Sequence, residues 1–221
     1  MSRSAEVESS VTADDLDQAV QLAVAALQEA PPEGWERKAG PLEWSCWETI
    51  EHLSDDLFAY AAQLGPRKPP MSGEVPFLAE SQRSGGPENA IYADRSAGPD
   101  GLLQVLEASA ALLAAMVRTT PSHVMAHHVY GASDPEGFAA MGRLRLWCIC
   151  TMWRRDLRSP GLRLQSCARG CSSDCFRTPG VDRSLAHPVV GHRPCRVAWI
   201  CSANCVALGR NTPVTALGRV S

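Results

Sequence analysis

The feature that most constrains this chain is a change of vocabulary at Gly142. Up to that residue, 8 basic residues face 21 acidic ones, a net charge of −13. Beyond it, 13 arginines face only Asp156, Asp174 and Asp182, a net of +10. The second part has no Lys, no Glu and no Tyr, and it holds eight of the nine cysteines, Cys46 being the other. A folded domain needs the same kinds of core and surface residues from end to end. The formal charge of −3 hides a chain of two pieces, residues 1–142 and residues 143–221.

The first piece reads as helices. Residues 12 to about 30 open on a Thr12/Asp15 capping box and place Leu16, Val20, Ala23, Val24 and Leu27 on one face, before Pro31 and Pro32 stop the helix. Trp35 is a candidate anchor in the loop that follows. Residues 43 to 64 repeat the pattern with Trp47, Ile50, Leu53, Leu57, Tyr60 and Leu64, and Gly65-Pro66 ends it. Residues 66–99 are rich in Pro, Gly and Ser and predict a long surface connection. A third helix is expected from an Asp100 cap to about Arg118, packing Leu102, Val105, Leu106, Leu112, Leu113 and Met116. After Pro121 come adjacent histidines, a turn at Gly131 and a helix start at Ser133-Asp134-Pro135. Long helices with such connections predict an all-α antiparallel bundle. The fourth helix has a beginning but, past Gly142, no credible continuation.

At 221 residues the chain is long enough for one domain with a proper core. No run of about 18 to 20 unbroken apolar residues calls for a membrane span. The polar, acidic residues 1–17 match neither a secretory signal nor a transit peptide. A cytoplasmic location is the expectation, and with it reduced cysteines rather than a disulfide framework.

His52 is the candidate site residue. It lies beside the apolar stripe of the second helix, on a more polar line with Thr49 and Asp56. Such a histidine is either a solvated surface residue or a metal ligand, imidazole being the commonest nitrogen donor to zinc and similar ions. Two further donors would be required. Of the adjacent pair His127 and His128, only one can readily face a given site.

Three stretches carry a resemblance: the helix from Trp44 to Leu64 with its Glu51-His52-Leu53, the Ala-rich helix from Gly101 to Arg118, and the run from Ser133 to Gly142. In them the chain resembles the DinB-like superfamily, in particular the branch of the mycothiol-dependent maleylpyruvate isomerases. The resemblance implies a four-helix bundle holding a divalent metal, zinc or nickel, with His52 as the ligand from the second helix. It also implies two ligands from the fourth helix, spaced as Glu-x-x-x-His or His-x-x-x-His so that both share one face. Intact relatives of that kind would act on a small-molecule substrate, with mycothiol as a possible cofactor and a homodimer as a possible assembly. This chain departs from the pattern where it matters, because residues 143–153 contain no such pair.

A frameshift accounts for the departure. Read one nucleotide late, with synonymous codons chosen to suit, the DNA behind residues 144–149 can encode Glu-Ala-Leu-Val-His, the missing spacing. The junctions Trp147-Cys148 and Met152-Trp153 leave no choice and give Val. Residues 165–178 can be decoded in the same frame as Glu-Leu-Cys-Ala-Arg-Val-Leu-Glu-Arg-Leu-Phe-Pro-Asp-Ala, an amphipathic segment. On this reading the tail is irregular and mostly disordered, residues 144–153 can form a helix that partly covers the gap, and metal binding and catalysis are lost. Two rivals make the tail functional. Cys167, Cys171, Cys175, Cys201 and Cys205 with His187 and His192 could form a zinc module, although the pairs scatter. The +10 charge with Trp147, Trp153 and Trp199 could attract nucleic acid, without specific recognition being expected. A third reading is a non-enzymatic interaction protein built on the helical part.

Overall fold

A computed structural model describes residues 10–157, with side-chain surroundings through Ile149. It forms four α-helices in an all-α bundle, with no strand beyond isolated bridges among the described residues. Helix α1, Ala13–Gln28, begins at the expected box: the Asp15 N–H donates to Thr12 Oγ1 at 3.2 Å, and the Thr12 N–H donates to Asp15 Oδ2 at 2.9 Å. Its expected face is buried. A 3-10 turn at Pro32–Gly34 follows and leads to Trp35, which is buried edge-on against Trp47.

Helix α2, Cys46–Leu64, starts three residues later than its apolar pattern suggests. A bridge between Lys38 and Ser45 keeps the chain extended, and Ser45 and Glu48 then form a second capping box. The stripe from Trp47 to Leu64 is buried as the periodicity predicts.

Helix α3, Gly98–Thr119, opens with Pro99 in its first turn, two residues ahead of the expected Asp100 cap. Leu102, Leu106 and Leu113 are buried, but Leu112 is 52% exposed, and Val105 and Met116 are only half-buried. The inward positions the sequence reading passed over belong to Leu103, Ala110 and Ala114, small residues among them allowing close helix approach. By length and composition the segment Arg95–Thr119 is apolar enough to cross a bilayer. In the bundle its apolar face packs instead against α1 and α2.

The fourth helix is present. Helix α4, Pro135–Leu157, corrects the expectation that no credible continuation follows Gly142, and the change of composition falls inside it. Asp134 caps it, accepting from the Gly137 N–H at 2.8 Å. Phe138 and Ala139 ahead of Gly142 and Leu146 and Ile149 beyond it are buried, so the helix keeps one apolar face across the change of composition. Side chains of that size contribute about 1.5 to 3 kcal/mol each when withdrawn from water. The inward faces of the other helices are covered, in keeping with the reading in which residues 144–153 form a helix over the gap. Gly142 permits a close approach: a Cβ there would lie 3.0 Å from Leu57, 3.2 Å from Leu113 and 3.3 Å from Leu16. The zinc-module cysteines and histidines of the tail, together with Trp199, lie outside the described residues.

Candidate functional site

Two buried carboxylates of α2, one turn apart, build one wall of the site. Asp55 Oδ1 accepts from the backbone N–H groups of Ala90 and Ile91 at 2.8 and 3.0 Å. Glu51 Oε1 accepts from the Ala93 N–H at 3.0 Å and from Trp47 Nε1 at 3.3 Å. Burial pushes both carboxyls above their usual range, against the lowering effect of the same hydrogen bonds. The connection at residues 89–93 is thereby stapled to α2, on the side where His52 emerges.

Asn89 is delivered by that staple. It is 1% exposed, its backbone pairs with Glu80, and its side-chain oxygen lies 2.7 Å from His52 Nδ1. The contact fixes the orientation of the ring, with donor and acceptor set by the imidazole tautomer. This is how an outer hydrogen bond fixes an imidazole for metal ligation. Trp44 packs edge-on against the ring at 5.0 Å. His52 is therefore a held, half-buried residue and not a solvated one.

The facing helix supplies something other than a ligand. His52 Nε2 lies 4.0 Å from Asp56 Oδ2, and Arg145 of α4 donates from a guanidinium nitrogen to that same oxygen. Arg145 Nε also donates to the Tyr60 hydroxyl at 2.6 Å, and the guanidinium lies 5.5 Å from the Tyr60 ring centre. Both ion-pair partners are largely buried, at 11% and 14% side-chain exposure, where a charge requires such pairing.

His128 completes the cluster. The hairpin-like turn at residues 126–133, closed by the Ala126–Ser133 bridge and by Gly131 at φ 126°, carries it inward. Its ring lies among Tyr60, Tyr130 and Phe138, and its Nδ1 accepts from the Tyr130 N–H at 3.3 Å. Burial first, and the Arg145 charge second, lower its pKa to about 4. His127 is held differently, its backbone N–H donating to the Pro70 carbonyl at 2.7 Å. Sequence reasoning missed Asn89, Tyr60 as a polar partner, and Arg145. Only the i, i+4 carboxylate pair Glu51 and Asp55, lying against the apolar stripe, offered a signal for the staple.

The divalent ion implied by the resemblance does not fit these residues. A catalytic zinc takes three protein donors, and no group of three or more His, Cys, Asp or Glu side chains with that geometry occurs among the described residues. Asp56, the acidic neighbour of His52, is already engaged by Arg145. A dication at His52 would have to share Asp56 with the Arg145 guanidinium and would be repelled by its charge.

Against known families, the model of the DinB superfamily matches residues 15–149, from the first turn of α1 into α4. No curated protein and no solved structure matches the chain.

Proposed function

The chain belongs to the DinB superfamily, and from that membership we propose that it is a metal-free bundle of this kind, descended from a thiol-dependent isomerase or transferase and catalytically silent as written. The observation that carries this reading is the mismatch between the two sides of the site. On α2, Asn89 holds the His52 ring as a ligand's ring is held by an outer hydrogen bond. On α4, the opposed position holds a guanidinium.

A frameshift near the Gly142 codon explains how the halves came apart. In the register one nucleotide on, the codons lying mostly over Arg145 and Ile149 can read Glu and His. Those two positions are one turn apart and are both buried. Out-of-frame text has no reason to hide a ligand pair at the inward positions of its helix. Sequencing the gene across the Gly142 codon tests the origin. The expected result is a family-like frame resuming after a single-nucleotide change; absence of coherent coding in either register would remove this explanation. Assays with mycothiol and a maleylpyruvate-type substrate are expected to give no turnover above the uncatalysed rate, and turnover dependent on His52 would contradict the silent reading.

A further inference from the structure

Asp56 places a carboxylate in a largely buried cleft, its Oδ2 4.0 Å from His52 Nε2, and a carboxylate so withdrawn from water calls for a cation. Arg145 reaches it from α4, its guanidinium shared between Asp56 and the Tyr60 hydroxyl. We propose that Arg145 is the resident cation of this cleft and the residue that determines its selectivity, barring divalent ions from His52 and Asp56 while tying α4 to α2. The proposal rests on the metal-free reading above and adds its cause: exclusion by an occupying charge, not merely a shortage of donors.

The two causes predict different behaviour. If donors alone are short, removing the guanidinium leaves zinc binding unchanged. If the charge excludes the ion, removing it leaves the His52 imidazole and the Asp56 carboxylate as two donors one helical turn apart. A carboxylate introduced at position 145 would add a third donor from the opposite wall.

Zinc affinity is measured by equilibrium dialysis on the full chain and on Arg145→Lys, Arg145→Met and Arg145→Glu, each also in a His52→Ala background. Circular dichroism first checks helix content. The expected result is no His52-dependent binding in the parent or in Arg145→Lys, which keeps the charge. Arg145→Met is expected to bind at least about tenfold more tightly than the parent, and Arg145→Glu more tightly again, both gains vanishing with His52→Ala. If the Glu variant fails to fold without zinc, the uncharged Met variant decides. Zinc affinity unchanged in Met and Glu, or a gain in Lys equal to that in Met, would overturn the role of the charge and leave the metal-free reading standing. His52-dependent zinc in the parent would instead overturn that reading itself.

Discussion

His128 shows at the scale of one residue how this cleft depends on pH. Its pKa falls from 6.5 to about 4 on folding, chiefly because burial disfavours the imidazolium. Between those values the unfolded chain binds the proton more readily, so its contribution is present above pH 6.5 and lost as pH falls toward 4. The loss should amount to roughly 3 kcal/mol. Urea unfolding at pH 7 and pH 4.5 should therefore show a smaller difference for His128→Phe than for the parent; an equal difference would place the acid sensitivity elsewhere. Asp55 acts in the opposite sense. Its raised pKa means that stability from this group is present below the ordinary carboxylate range and declines as pH rises through the raised value. Asp55→Asn should keep one acceptor for the staple and relieve that decline, visible as a flatter stability profile from pH 4 upward. The sequence made His52 visible because its helix is strongly patterned. It could not show that Asn89, 37 residues away, would hold the ring. That contact depends on where a long loop is stapled, and a staple of backbone N–H groups leaves no mark in residue type.

At the scale of elements, caps and periodicity made α1 and α2 legible. The Thr12/Asp15 box appears as read, and α2 begins late only because the Ser45/Glu48 box competes with the apolar Trp44 for its start. Leu112 misled the reading of α3, since in an apolar helix several faces look equally suited to the core. For α4 the start was legible, but beyond Gly142 the changed composition obscured how well Leu146 and Ile149 continue the apolar face of Phe138 and Ala139. A helix needs only such a face to dock, whatever the history of its residues. At Gly142, α4 lies against Leu16 of α1, Leu57 of α2 and Leu113 of α3 with little room for a Cβ. Gly142→Val should destabilise the bundle by about 1 to 3 kcal/mol through overpacking. An unchanged denaturation midpoint would mean that the four helices do not converge there.

At the scale of the molecule, the four described helices close a bundle around an apolar core and a polar cleft. Three helices and the long connection retain a histidine prepared by its neighbours, while the fourth helix completes the core and answers the buried Asp56 with a guanidinium. Folding and coordination make different demands: apolar spacing tolerates a change of composition, whereas coordination requires particular donors at particular positions. Calorimetric titration of the purified chain with nickel or zinc, alongside His52→Ala, tests this most directly. The two proteins should give the same isotherm, with no stoichiometric site that requires His52. One equivalent of ion bound by the parent and lost in His52→Ala would contradict the account.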